Sequence, residues 1–303
     1  MFGYIYNNYM KNVNNTESLT IVIVLYKEPF DLINETLQNI SGYNIIIIDN
    51  DDNHQLKKKI LKEFKIHRYI LNKENNGFSA GYNQGIKLSN TKFTLVLGPD
   101  CLISSKDINV LIKKISLYQD ALIVSPTAYD KKNELTYSGG PLPENGKMDK
   151  FLKLEGDACV ESSLGACMLF RTLDIQKYDL FFDENFFLYF SDVDLCRKIK
   201  ILNKSIIQTN EAVCIHQHGI IKIKNKFKKI YIREYNYTHD MLYYFFKIKN
   251  KQNLEIIRNF QKKIKSLYIL LVLRFFTFKY SDFIKIYSRL SGYNKFKSRY
   301  LNK

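Results

Sequence analysis

The acidic residues of this chain gather where they could do chemistry. The segment 181–198, FFDENFFLYFSDVDLCRK, sets Asp183, Glu184, Asp192 and Asp194 among six aromatics. Apolar surroundings raise the pKa of a carboxyl group, and a carboxylate tuned in this way suits a general base near neutral pH. Asp192 and Asp194 lie about 200° apart on a helix, so they cannot both face one site. The bland alternative is a helix N-terminus carrying acids for its dipole. Another acid, Asp100, closes the run LVLGPD at 95–100. A divalent ion bound to a diphosphate could be held there, because Mg2+ usually takes one or two carboxylates plus phosphate oxygens. A lone Asp in a turn is more often a cap. The run CIHQHG at 214–219 puts His216 and His218 on one face of a strand, which suits metal or phosphate. Two histidines without further ligands are usually not a metal site.

Other residues suit a nucleotide. A uracil or thymine base needs a flat partner to stack on and an acceptor for its N3–H. Tyr26 supplies a face and Asp49 an acceptor, each at the end of an apolar run. In NNGFSAGYNQG, residues 75–85, Gly77, Gly81 and Gly85 recur every fourth position and line one stripe of a helix. A helix N-terminus offers free N–H groups to a diphosphate, with Asn75 and Asn83 as neutral donors. Tight helix–sheet packing with no ligand explains the glycines equally well.

The elements that must position these residues follow from periodicity. Residues 19–26 (LTIVIVLY) and 44–50 (NIIIIDN) are continuous β-branched runs, the pattern of strands buried on both faces of a parallel sheet. Between and after them, helical patterns carrying Leu32, Ile33, Leu37 and Ile40, then 56–64, 78–88 and 108–118, alternate with strands at 67–71, 93–97 and 121–125. That rhythm implies βαβ units and a mostly parallel, doubly wound α/β sheet flanked by helices. Ligands of such sheets sit beyond the carboxyl ends of the strands, here Tyr26-Lys27-Glu28, Asp49-Asn50-Asp51 and Gly98-Pro99-Asp100. Residues 129–156 read as loops with a hairpin, 164–170 as a strand, 191–202 as a helix and 205–216 as extended. Beyond Lys222 the pattern is helical and basic.

Composition sets the outer limits. With 303 residues, 46% apolar and 25% charged, the chain is a folded protein with a sizeable core. Its net charge is +16, but residues 222–303 hold 21 Lys and Arg against four acids, Glu234, Asp240, Glu255 and Asp282. The positive charge is therefore a property of the C-terminal arm, as suits a part that meets an anionic surface. The five cysteines contain no CxxC pair and read as reduced, mostly buried thiols. The first residues lack a signal pattern, and the best apolar stretch, 266–278, is shorter than the about 20 residues a span needs and contains Arg274. A cytoplasmic protein, peripheral at the inner face of the cell membrane, is the expectation.

Taken in order, TIVIVLYKE, IIIIDN, NNGFSAGYNQGI, LGPD, GACMLFR, FDENFFLYFSDVDLCRK and HQHG resemble the large inverting GT-A glycosyltransferases of family 2. The likeness is greatest to the rhamnosyltransferase-like branch that builds bacterial surface polysaccharides, and it covers roughly residues 19–245. It implies a GT-A, Rossmann-like fold with a nucleotide-sugar half at 19–128, an acceptor half at 129–221 and a basic helical region at 222–303, preceded by a flexible segment 1–18. It implies that Tyr26, Glu28, Asp49 and Asn50 hold the nucleotide. Asn75, Gly77, Phe78 and Asn83 would lie against the nucleotide-sugar, and Gly165, Ala166 and Tyr189 on the acceptor side. Asp100, with His216, would hold Mg2+ or Mn2+, and Asp192 would be the catalytic base. The partners implied are a dTDP- or UDP-sugar and a glycan or lipid-linked acceptor. Two positions depart from the family: Gly98 stands where Asn or Asp is usual, and Ser191 where Glu usually precedes the base.

The departures keep a weakened or inactive scaffold in view. A nucleotidyltransferase would carry a Gly-rich, basic loop after the first strand, which Lys27-Glu28-Pro29 does not supply. Nucleic acid is not an expected partner, since the aromatics of the acidic region are not interleaved with the basic arm. On the arm, apolar and basic residues interleave at helical spacing from Leu254 to Leu290. Phe283, Ile286, Tyr287 and Leu290 lie on one face and Lys285 and Arg289 off it, the pattern of a membrane-surface segment. Packing on the catalytic domain, or on a second subunit in a homodimer, is the alternative.

Overall fold

The computed structural model describes residues 18–145, 154–217 and 225–302. Strands β1 (Leu19–Leu25), β2 (Asn44–Asp49), β3 (Arg68–Leu71) and β4 (Phe93–Leu97) are joined by helices α1 (Phe30–Asn39), α2 (His54–Glu63) and α3 (Gly77–Ile86). The continuous apolar run of β1 is used on both faces. Leu19, Ile21, Ile23 and Leu25 enter one core under α1 and α2, while Val22 and Val24 face α3 on the other side. Each such aliphatic side chain contributes about 1.5–3 kcal/mol when fully buried.

The chain continues through β5 (Cys101–Ile103), α4 (Ser105–Leu117), β6 (Ala121–Tyr129), β7 (Gly139–Gly140), β8 (Ala158–Cys159) and β9 (Ser162–Ser163), with β7 and β9 paired as a separate two-stranded sheet. Then come β10 (Cys167–Arg171), α5 (Thr172–Lys177), α6 (Ser191–Ile201) and β11 (Ser205–His216). The main sheet runs β3-β2-β1-β4-β10-β6-β11-β5, with β8 on β11. It is mostly parallel as expected, but β10 enters antiparallel to both β4 and β6. β5, which the sequence pattern did not reveal, is three residues long and pairs antiparallel with β11, setting Cys101 opposite His216. All five cysteines are free thiols, four of them buried and Cys159 exposed.

Three helices close the chain: α7 (Lys226–Ile248), α8 (Lys251–Phe276) and α9 (Tyr280–Phe296). α7 and α9 run side by side in the same direction, with Tyr231 meeting Tyr287 and Tyr243 stacking on Tyr300. Their closeness requires Gly292, where a Cβ would come 2.4 Å from the Tyr235 carbonyl oxygen. This corrects the expected membrane face of the arm. Leu290 is buried, and Phe283 and Ile286 are half-buried, so of the four residues expected on that face only Tyr287 stays exposed. The long exposed apolar run lies instead on α8. Among the described residues no helix is long and apolar enough to cross a membrane.

Candidate active site

The carboxyl ends of β1, β2 and β4 meet at one rim. Asp49 ends β2 fully buried, its Oδ2 accepting the Tyr69 hydroxyl at 2.8 Å and its Oδ1 the Asp51 N–H at 2.9 Å. Burial pushes its pKa up. Tyr26 is half-buried beside it, with the Lys27 ammonium 5.3 Å from its ring centre and 3.5 Å from Asp51. The Glu28 carboxylate accepts the Tyr26 N–H, and burial pushes its pKa up to about 7, helped by repulsion from Asp100 and Asp49. That repulsion marks Asp100 and Asp49 as near neighbours of Glu28.

The turn after β4 is held from three sides. Tyr82 donates to the Leu97 carbonyl, Thr36 to the Pro99 carbonyl, and Gln217 N–H to the Asp100 carbonyl. Because β11 pairs with β5 in this register, His216 Nε2 lies 3.6 Å from Asp100 Oδ1. His218 falls outside the described residues. Gly98 has an equally local reason: a Cβ there would sit 3.0 Å from Asp100 Oδ1 and 3.4 Å from the Ala166 Cβ. A side chain there would crowd the Asp100 carboxylate, which would have to give by a few tenths of an ångström.

The same turn leads to Asp192. Gly98 N–H donates to the Ala166 carbonyl at 2.8 Å, and the next residue back, Gly165, donates its N–H to Asp192 Oδ2 at 2.9 Å. Asp192 Oδ1 accepts the Val193 N–H at 2.9 Å. Only glycine fits at 165, since a Cβ would lie 2.9 Å from the Asp192 carboxylate. Desolvation by burial raises the Asp192 pKa, though its backbone hydrogen bonds oppose the shift. Asp194 points elsewhere, 2.7 Å from Lys247 Nζ, as the helical angle required. Burial also acts on Asp183, but Lys247 and Asn185 outweigh it and hold that carboxyl below its ordinary value.

Several expected donor contacts are spent inside the protein. Asn83 donates to the Phe182 carbonyl and to Glu184, and accepts the Phe182 N–H, so its amide ties α3 to the 181–190 loop. Asn50 donates to the Gly77 carbonyl and accepts from Asn72. At the start of α3, Asn75 accepts the Gly77 N–H and the Phe187 carbonyl takes the Phe78 N–H. Those two N–H groups are thus not open to a diphosphate. The Phe78 ring packs on Tyr82 and Phe182. The glycines answer to packing: a Cβ would come 2.4 Å from the Phe187 carbonyl at Gly77, 2.8 Å from Val24 at Gly81 and 2.2 Å from Val22 at Gly85. Close packing thus accounts for all three glycines, against the sheet at Gly81 and Gly85 and against the 181–190 loop at Gly77.

The residues that sequence reasoning missed lie on α7. Asp240, fully buried, accepts the N–H groups of Phe187, Leu188 and Tyr189 at 3.4, 3.0 and 2.9 Å. His239 Nδ1–H donates to it at 2.8 Å. These bonds pin the loop that delivers Phe190, in the left-handed region at φ 64°, and then Asp192. Such a backbone costs about 1–3 kcal/mol and persists only where its surroundings enforce it. Tyr189 and Phe190 both pack on Tyr237 of α7. Lys247 binds Asp183 at 2.8 Å and Asp194 at 2.7 Å, joining α7 to both sides of the loop. The signal for Asp240 was present: it is one of four acids in a strongly basic segment.

Asp100 and His216 fit an ion shared with a substrate diphosphate, which asks only one or two ligands of the protein. They do not fit an all-protein cage, since among the described residues no group of three potential ligands exists. Two surface concavities, one at 41–45 and 64–67 and one on the outer side of α3, include none of Asp49, Asp100 or Asp192.

A mostly parallel sheet with acids from three strand ends and one helix start converging at its rim is the frame of a nucleotide-sugar enzyme. The sequence model of glycosyl transferase family 2 matches residues 20–209, and the chain belongs to that family. It is a glycosyltransferase. It is 28% identical over 216 residues to the low-salt glycan biosynthesis hexosyltransferase Agl10 of Haloferax volcanii, covering 67% of this chain and 68% of that one. It is 27% identical over 199 residues to the dTDP-rhamnosyl transferase RfbF of Shigella flexneri, covering 61% and 64%. Two solved structures share the GT-A fold at low identity. The mannosyltransferase PcManGT from Pyrobaculum calidifontis, in complex with GDP-Man and Mn2+, matches with a TM-score of 0.58 at 10% identity, over 100% of this chain and 94% of that one. GalNAc-T7 with UDP, GalNAc and Mn2+ matches at 0.53 and 14%, over 75% and 51%.

Proposed function

We propose that this glycosyltransferase moves a hexose or rhamnose from a dTDP- or UDP-sugar to a hydroxyl of a glycan or lipid-linked acceptor, inverting the anomeric configuration. One observation carries the reading: Asp192 and Asp100 are joined through Gly165, Ala166 and Gly98 by consecutive hydrogen bonds and contacts. In this reading the base and the diphosphate end lie side by side on one rim. The names of the two curated relatives support the sugar class.

In this mechanism Tyr26 stacks on the base and Asp49 accepts its N3–H. Asp192 takes the proton of the acceptor hydroxyl as that oxygen attacks the anomeric carbon. The bond to the nucleoside diphosphate breaks on the opposite face, so one displacement inverts the centre. Its burial-raised pKa makes Asp192 a stronger base than a solvated aspartate, and the two N–H groups on its oxygens fix its direction. Asp100 and His216 would hold Mg2+ or Mn2+, which when bound offsets charge on the leaving diphosphate. Asp183, Glu184 and Asp194 are bound up in holding the loop and are not alternative bases.

The test is a panel of dTDP-, UDP- and GDP-sugars with Mn2+, Mg2+ or chelator, scored by nucleoside diphosphate release and by heat protection. Release from one donor, lost with chelator and in Asp192→Asn, is the expected result. Near wild-type turnover of Asp192→Asn defeats the assignment of the base.

A further inference from the structure

The last helical hairpin leaves apolar surface uncovered in a pattern that packing does not explain. The first ten residues of α8 are held, with Asn253 and Ile257 buried and Phe260 tilted against Tyr293. Beyond Ile264, the last of its residues packed on the core cluster, its side chains become largely exposed. Ile269, Val272, Leu273 and Phe276 are 63%, 54%, 52% and 71% exposed, and Phe278 in the turn is 75% exposed. The four helical positions follow i, i+3, i+4, i+7 and so form one stripe. Lys262 and Lys265, both exposed, continue that stripe toward the bundle, and exposed Lys279 closes the turn. Soluble surfaces rarely leave a contiguous apolar patch of this kind bare unless something binds it.

We propose that the tip of the α8–α9 hairpin inserts into one leaflet of an anionic lipid bilayer. The apolar stripe and Phe278 enter the acyl boundary while Lys262, Lys265 and Lys279 meet lipid phosphates. Charge selects this occupant, since the arm from residue 222 onward carries 21 basic residues against four acids. A second copy of the chain would bring the same positive charge to the face. The depth is that of a helix lying in the interface rather than a span, in keeping with the absence of a crossing helix among the described residues. From Phe260 to Phe276 the helix rises about 24 Å. Because α8 runs back against α7, the tip emerges near the amino end of α7, the helix whose midpoint residue Tyr237 packs on Tyr189 and Phe190. Membrane binding stands on its own; only its use, bringing a lipid-linked acceptor to Asp192, rests on the proposed transfer reaction.

The experiment uses the full chain and sucrose-loaded vesicles of phosphatidylglycerol with phosphatidylcholine, against phosphatidylcholine alone. Wild-type protein co-sediments with the anionic vesicles, binds neutral ones weakly and is released by salt. The double variant Phe276→Asp/Phe278→Asp loses about tenfold or more of that binding, because each charge must be desolvated at the acyl boundary. It keeps its melting temperature, since both side chains are exposed. The chain has no tryptophan, so Phe276→Trp gives a single reporter, whose emission shifts to the blue on anionic vesicles only. Failure of wild type to bind, or unchanged binding by the double variant, overturns the proposal. So does a wild-type dimer in sedimentation velocity that the double variant dissolves. Nucleotide-sugar turnover is scored separately without lipid, so failure of the reaction and failure of the membrane contact are read apart.

Discussion

At the scale of single residues, the acids of the rim carry opposing demands of stability and chemistry. Asp192 is drawn up in pKa by burial, so with Asp192 as the proposed base, activity is expected to fall as pH drops through that raised value. A kcat profile with an acidic limb above the ordinary aspartate range is the expected outcome, together with a loss of about 100-fold or more in Asp192→Asn. Glu28 makes the stability side measurable. Its folded pKa of about 7 exceeds its ordinary 4.5, so the folded state holds the proton more tightly than the unfolded chain. The stability this contributes is full below pH 4.5 and lost as pH rises through 7. Melting curves from pH 5 to 8 should show wild type declining relative to Glu28→Gln, with the gap widening upward. Gly165→Ala tests the close approach to Asp192. Its methyl group would overlap the carboxylate, costing about 1–3 kcal/mol and displacing the base. A drop in both melting temperature and kcat is expected.

At the scale of elements, the loop at 181–190 is the joint between the sheet and the C-terminal helices. α3 grips it through Asn83 and through the Phe78 N–H, and α7 grips it through Asp240 and Lys247. Removing the Asp240 carboxylate strands three backbone donors, each costing about 1–3 kcal/mol if left buried and unpaired. Asp240→Ala should therefore lower kcat strongly with little change in donor KM, because Tyr26 and Asp49 belong to other elements. Steady-state kinetics and amide exchange across 187–192 check this, and an equal rise in donor KM would argue against a positioning role. This joint was half visible in the sequence. The aromatic and acidic content of the loop marked it, but hydrogen bonds spanning about 50 and 100 positions leave no local periodicity to read.

At the scale of the whole molecule, elements on the two sides of the boundary expected near residue 221 pack together. α7 contributes Asp240, Lys247 and the Tyr237 contact to the loop that delivers Asp192. We infer that a chain ending at residue 221 fails to assemble the base. Loss of nucleoside diphosphate release and of a cooperative melting transition is the expected result. A soluble, active fragment would show instead that the helices serve only attachment.

The alternation of strands and helices, the two-faced burial of β1 and β2 and the strand-end position of the acids were all set by local pattern, because period and residue type suffice to define them. That Asp49 and Asp100 stand at strand ends and Asp192 at a helix start was legible for the same reason. The folded chain alone could turn β10 antiparallel, bring His216 beside Asp100 by strand register, and close the amino end of α3 with the Phe187 carbonyl. It alone could hide Leu290 while leaving Phe276 bare. These depend on which distant segments meet, and burial, hydrogen-bond satisfaction and close approach are properties of pairs of residues that one position in a sequence does not contain.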